Sequence, residues 1–218
     1  LLCLSEKDGK EVWKYEIDSV YKISYPAGPR CTPTVDGDLV YFLGAMGHLA
    51  AIDIKSGKPV WTKEFLKDFE ANLPFWGFSS HPLVEGNKLI VFVGGSDNRM
   101  VMALDKKTGK EIWKSGRTGD PGYSPPTILE IAGKRQLIAW LPKGVFGIDL
   151  ENGKELWTHP WEINAALTAP TPRLVGKDQL FLTSFYNGST LLKISDNKAE
   201  VVWKSKSKGG QRAVLPEE

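Results

Sequence analysis

No stretch of this sequence approaches the roughly 18 uninterrupted apolar residues that mark a membrane-spanning helix. Charge is also scarce as a net quantity. The 28 Lys and Arg residues against 26 Asp and Glu leave only +2, too weak a field to argue for nucleic acid. The one basic run, Lys204, Lys206, Lys208 and Arg212, reads as a solvated tail. The two cysteines, Cys3 and Cys31, read as small buried apolar residues, and the sequence leaves open whether they are bonded. His48, His81 and His159 have neither metal nor triad spacing. There is no G-x-S-x-G, Walker loop or zinc pattern. No Asp-rich loop has calcium-ligand spacing; GSDN at 95–98 holds a single carboxylate and reads as a hairpin turn. NGS at 187–189 is a formal glycosylation sequon, and a Gly turn explains it equally well.

Hydrophobic residues, at 41%, suffice for a packed core, and what is present is periodic. One phrase recurs: AIDIKSGKPVW at 51–61, ALDKKTGKEIW at 103–113 and GIDLENGKELW at 147–157, with looser copies at 3–13 and 193–203. Its closing residues are Trp13, Trp61, Trp113, Trp157 and Trp203, at intervals of 48, 52, 44 and 46 residues. A period in this range means a repeat architecture, and four strands per unit is a β-propeller blade. Gly57, Gly109 and Gly153 can take the positive φ of a tight turn, and Asp53, Asp105 and Asp149 can bond the backbone and hold it. The last copy has Ala199 in the Gly position and Lys193 in the small-residue position, which predicts an irregular final edge.

A second mark alternates with the first. Glycine turns VDGD (35–38), VEGN (84–87), IAGK (131–134) and VGKD (175–178) each follow a Pro-containing strand start and precede a dense apolar run. Such runs suit strands covered on both faces. The expected fold is therefore all-β, one segment over 1–218. Strands C and D of a leading blade occupy 1–17. Full blades span about 30–65, 79–116, 124–160 and 167–206, with a tail at 207–218. That tail has one short apolar stretch and no hairpin turn, so it cannot supply the two inner strands the leading half-blade lacks. The chain alone is expected to form an open arc, either part of a longer propeller or half of a ring completed by a second copy.

Ala103, Asp105, Thr108, Gly109, Lys110 and Trp113 match the A-x-D-x-x-T-G-K-x-x-W tryptophan-docking motif, so the chain resembles the pyrroloquinoline-quinone-type eight-bladed propellers over about residues 1–206. The resemblance implies that each Trp packs on the small first residue of its own motif and on the Gly turn of the next blade. It also implies a periplasmic or extracellular location. The family holds quinone- and calcium-dependent alcohol and sugar dehydrogenases, outer-membrane assembly lipoproteins, and quinoprotein-like propellers without assigned activity. The segments at 25–37, 73–84 and 121–128 look most like the third group.

The enzyme reading finds little support in the residues. The dehydrogenases' vicinal cysteine pair is absent, and Asp68 and Glu70 are the nearest acidic candidates in the loops between blades. No catalytic or metal-binding residue and no cofactor is predicted; pyrroloquinoline quinone with calcium belongs to the alternative reading. A ligand site, if built on this scaffold, belongs where the D–A loops meet strand A at the channel mouth. Arg30, Trp76, Phe78, Ser80, Tyr123 and Asn164 are the unusual side chains there. The leading expectation is a non-catalytic module that binds a protein or small-molecule partner. A dehydrogenase fragment and an assembly-lipoprotein-like propeller are the alternatives.

Overall fold

The computed structural model describes residues 1–17, 28 and 30–205. The tail at 207–218, and most of the basic run, lie outside the described residues. Four antiparallel four-stranded sheets follow one another along the chain, each a simple meander. The first holds β3 (Thr34–Asp36), β4 (Leu39–Leu43), β5 (His48–Asp53) and β6 (Pro59–Glu64). The second holds β7 (Leu83–Glu85), β8 (Lys88–Phe92), β9 (Val101–Asp105) and β10 (Glu111–Ser115). The third holds β11 (Thr127–Ile131), β12 (Lys134–Leu141), β13 (Gly144–Ile148) and β14 (Glu155–Pro160). The fourth holds β15 (Arg173–Val175), β16 (Gln179–Ser184), β17 (Gly188–Ser195) and β18 (Lys198–Lys204). Ahead of them β1 (Leu2–Leu4) and β2 (Glu11–Lys14) form a two-stranded half-blade. One helical turn, α1 (Phe65–Asp68), and a short 3-10 turn at Asn164–Ala166 interrupt the connections. The chain is an all-β propeller segment of four blades and a half.

The core lies in slabs between sheets. β8 shows why: it is buried along its whole length. Leu89 and Val91 join Tyr41, Leu43 and Ala51 of the first blade, while Ile90 and Phe92 join Leu137 and Ala139 of the third. Successive side chains on a strand point to opposite faces, so a continuous apolar run feeds both slabs at once. Ile138, Trp140 and Trp157 meet Leu180, Leu182 and Leu192 in the slab between the third and fourth blades.

Every C–D hairpin carries a register shift at the same place. The pair Ala51↔Trp61 is followed by Ile52↔Pro59, so Val60 is the extra residue of a bulge. Val12, Val60, Ile112 and Val202 occupy this extra position and stand exposed. In the first four hairpins the bulge sets the Trp directly opposite a small residue of strand C: Cys3, Ala51, Ala103 and Gly147.

The tryptophans then reach across to the next blade. The indole N–H of Trp13 donates to the Ile54 carbonyl at 2.8 Å, that of Trp61 to Lys106 at 3.0 Å and that of Trp113 to Leu150 at 3.0 Å. Each acceptor is the residue after the turn Asp, whose carboxylate binds backbone N–H groups of its own turn. A Cβ built on Gly57, Gly109 or Gly153 would stand 2.7, 2.8 or 2.6 Å from the docked ring, and all three have φ near +70°. Glycine is required here twice over, by conformation and by contact.

The last blade departs from this pattern, though not by being irregular. Without an Asp cap or a Gly-Lys turn, β17 and β18 close on a two-residue loop between Ser195 and Lys198, and their pairing lengthens. Leu191, not Lys193, faces Trp203. Trp157 thus has no Gly turn to dock on in the fourth blade. Its indole N–H donates instead at 2.7 Å to Gln136 Oε1 within its own sheet.

Candidate functional site

The B–C and D–A connections share one face of the arc, because strands A and C run away from it and strands B and D return. The D–A loop between the first two blades begins at α1. Phe65 and Phe69 are buried under it, and Phe65 meets Phe78 edge-on with centroids 5.3 Å apart. The Phe78 N–H donates to the Ala45 carbonyl at 2.8 Å. Phe78 is therefore a core residue, 2% exposed.

Pro74–Gly77 is a tight turn closed by Gly77 N–H to the Pro74 carbonyl at 2.8 Å. Its two central residues are Phe75 and Trp76, so an aromatic pair stands at the turn tip. Phe75 is 68% exposed and lies edge-on to Trp76 at 5.2 Å. Trp76 continues to Tyr123, whose ring is 5.5 Å away and whose hydroxyl accepts the Trp76 backbone N–H at 3.2 Å. Tyr123 comes from the next D–A loop, which is fixed by Tyr123 N–H to Thr168 Oγ1 at 3.2 Å and by Gly122 N–H to Asp120 Oδ1 at 2.8 Å. Phe75, Trp76 and Tyr123 form a continuous aromatic strip across two blades.

Charge of both signs surrounds the strip. Burial raises the Tyr123 hydroxyl above its ordinary value; nearby Asp120 pushes it further up, and nearby Arg30 pulls it down. Asp120 keeps an open side to solvent, yet partial burial holds its carboxyl above the usual range against the Gly122 hydrogen bond. Arg30 also lines a groove of about 1160 Å³ shared with Tyr15, Cys31, Leu43 and His48.

Cys31, Ser80, Ser124 and Thr168 hold equivalent buried positions ahead of the four inner strands. Ser124 Oγ donates to the Pro170 carbonyl at 3.1 Å in the next blade. Ser80 Oγ has no such partner among the described residues. Asn164 lies apart: its backbone N–H donates to Asn187 Oδ1 at 2.9 Å, and no hydrogen bond or ring contact joins it to Trp76 or Tyr123. Of the six residues singled out by sequence, Trp76 and Tyr123 come together, and the Arg30 charge acts on Tyr123. Ser80 and Phe78 lie buried on the connection that carries Trp76. Asp120 and Phe75 were missed. Asp120 sits in a Gly-Asp-Pro-Gly stretch that reads as loop punctuation, and nothing in the sequence distinguishes Phe75 from a core residue.

The dehydrogenase alternative requires oxygen ligands for calcium and an acidic base. Asp68 Oδ2 accepts the Glu64 backbone N–H at 2.9 Å, and Glu70 accepts Ser96 Oγ at 2.6 Å, so both carboxylates are tied into loop structure. Among the described residues no three His, Cys, Asp or Glu side chains converge as a metal site. Cys3 and Cys31 are free, and burial pushes the Cys31 thiol up to about 12. Among the described residues no helix is long and apolar enough to cross a membrane.

A family model described as outer membrane protein assembly factor BamB matches residues 1–218. The quinohemoprotein alcohol dehydrogenase ADH-IIG of Pseudomonas putida is 30% identical over 142 residues, covering 60% of this chain and 19% of that protein. BamB of Burkholderia pseudomallei is 28% identical over 167 residues, covering 72% of this chain and 39% of that protein. Among solved structures, BamB from Moraxella catarrhalis superposes with a TM-score of 0.59 at 18% identity, covering 88% of this chain and 55% of that one. The chain spans less than two thirds of each of these relatives.

Proposed function

The chain belongs to the propeller-repeat family described as outer membrane protein assembly factor BamB, and from that premise we propose that it is a non-catalytic, envelope-associated module that binds a protein partner. The observation that carries this reading is the strip Phe75–Trp76–Tyr123. Two large aromatics stand at the tip of a closed turn, held by a hydrogen bond to a neighbouring blade, with the Arg30 charge acting on Tyr123. Aromatic and Arg side chains on a rigid support are what binding hot spots use. Their order is already set by the scaffold, so a partner loses little entropy in fixing them.

The test is capture from a bacterial envelope extract by the wild-type chain and by a Phe75→Ala/Trp76→Ala variant. A partner held by the first and lost by the second, with unchanged thermal unfolding, supports the reading. Equal capture by both overturns the assignment of this face.

A second reading, a segment of a quinone- and calcium-dependent dehydrogenase, is favoured by the match to the Pseudomonas putida enzyme. Quinone- and calcium-dependent dye reduction with an alcohol, abolished by Asp120→Asn, would establish it in place of the first.

A further inference from the structure

We infer that Asn152 is a self-modifying site: its side-chain amide is lost by intramolecular deamidation, and the product weakens the joint between the second and third blades. The chain holds two Asn-Gly pairs, Asn152–Gly153 and Asn187–Gly188. A glycine after asparagine leaves the next backbone nitrogen unshielded by any Cβ, which favours attack on the amide. The two pairs are built differently.

Asn187 is clamped. Its Oδ1 accepts the Asn164 N–H at 2.9 Å, and its Nδ2 donates to the Glu162 carbonyl at 3.1 Å. Both bonds run to the connection that follows the third blade rather than along its own turn. Swinging this amide onto the Gly188 nitrogen would break both.

Asn152 is exposed and curls forward. Its Oδ1 accepts the Lys154 N–H at 2.9 Å, a turn that spans Gly153 and carries the amide over the intervening nitrogen. The same N–H lies where negative charge develops on Oδ1 during attack. Nδ2 makes no hydrogen bond among the described residues, so nothing retains the leaving group. The resisting bond is Gly153 N–H to the Asp149 carbonyl at 3.0 Å, which must open first.

The steps balance with water as the only co-reactant. The Gly153 nitrogen attacks Asn152 Cγ and loses its proton, the Cγ–Nδ2 bond breaks, and ammonia leaves. Water then opens the succinimide ring so formed. Opening on one side leaves aspartate; opening on the other leaves isoaspartate, whose main chain runs through Cγ. Either product puts a second carboxylate into a turn organised around Asp149, which takes the Glu151 and Asn152 N–H groups at 2.9 and 3.3 Å. In the two preceding turns the equivalent Ser56 and Thr108 hydroxyls donate to their Asp at 2.7 and 2.8 Å; a carboxylate there repels it instead. Isoaspartate also lengthens the main chain just before Gly153, on which the Trp113 ring sits.

The test ages the 218-residue chain in mildly alkaline buffer, folded and in guanidinium chloride, and maps its peptides by mass spectrometry. Methyl transfer from an isoaspartyl methyltransferase counts isoaspartate. In the folded chain the Asn152 peptide should convert several-fold faster than the Asn187 peptide; in denaturant the two should convert alike. The aged folded chain should unfold at a lower urea midpoint. Asn152→Ser should age with its midpoint unchanged, and Asn152→Asp should start below the wild type. If either variant does not fold, the aged wild type alone gives both readouts. No conversion at Asn152 in the folded chain, or conversion no faster than at Asn187, would overturn the site. An unchanged midpoint after conversion at Asn152 would overturn its effect on the joint.

Discussion

Trp61 and Tyr41 share one acceptor: the Lys106 carbonyl takes the indole N–H at 3.0 Å and the tyrosine hydroxyl at 3.1 Å. Both lone pairs of a turn carbonyl in the second blade are thus filled from the first. The Lys106 side chain returns the contact, its Nζ lying 2.5 Å from Asp36 Oδ2. Lys106 thus ties the second blade to the first through both its carbonyl and its charge, at the rim of the apolar slab that Tyr41, Leu43, Leu89 and Val91 fill.

Removing Trp61 or Trp113 deletes a large buried ring, empties the space over Gly109 or Gly153, and leaves the turn carbonyl short of a donor. Trp61→Ala and Trp113→Ala should each cost about 3–5 kcal/mol. Trp113, 6% exposed, should stand at the upper end. Trp76→Ala, at a turn tip, should stay within about 1 kcal/mol. Midpoints in urea titrations check the ranking, and equal shifts for all three would contradict it.

Glycines of like backbone should separate by what lies above them. Gly86 and Gly109 both have positive φ, but a Cβ on Gly86 meets nothing within 4 Å while one on Gly109 meets the Trp61 ring at 2.8 Å. Gly86→Ala should cost about 1–2 kcal/mol from left-handed strain. Gly109→Ala should add about 1–3 kcal/mol of overpacking. Thermal unfolding of the pair isolates the contact contribution, since backbone strain is common to both.

Most of the fold was legible because two periodic marks, the Trp phrase and the Gly turn, fix strand order and spacing independently. The docking partners came from the family resemblance rather than from the spacing, as Trp113 over Gly153 shows. The bulge before each Trp was not legible, because Val60 and Ile112 look like ordinary strand residues until pairing is known. The last blade misled for a similar reason. Counting back from Trp203 by the usual interval lands on Lys193, but the shorter loop moves the facing position to Leu191. At the candidate site, sequence did not show which side chains of the loops turn outward. Phe78 is held in the core and Phe75 is exposed, a difference set by the Pro74–Gly77 turn rather than by composition.

Gln136 substitutes for a missing blade-to-blade contact. Its Oε1 takes the Trp157 indole N–H at 2.7 Å, and both residues are buried. Gln136→Leu would leave that N–H without an acceptor, at a cost of about 1–3 kcal/mol. The same effect should not appear for Gln179→Leu, which lies at the far end of an inner turn. Denaturant midpoints for the two variants, with indole N–H proton exchange at Trp157, check this. Unchanged exchange at Trp157 would show that the bond does not protect it.

Acid should weaken the fold in two separable steps. Burial lowers the pKa of His81 and His159 below the ordinary 6.5, with the Lys204 charge as a second cause at His159. Well above pH 6.5 both residues are neutral folded or unfolded and contribute no pH dependence. As pH falls below 6.5 the unfolded chain binds protons that the folded chain resists. Stability therefore drops until the folded values are passed. The lowered carboxylates act further down: Asp105 and Asp149, held by their turn bonds, and Glu85, held by Arg135, contribute stability above 3.8 and 4.5 that is lost as pH falls through their folded values. Asp120 has the opposite sign, because its raised pKa favours the protonated form and removes stability as pH rises past 3.8. A His81→Asn/His159→Asn variant should flatten the stability curve between pH 7 and 5 while leaving the steeper loss below pH 4.5 in place. Urea midpoints measured at half-unit steps give both slopes. An unchanged slope between pH 7 and 5 would show that neither histidine is held neutral by the fold.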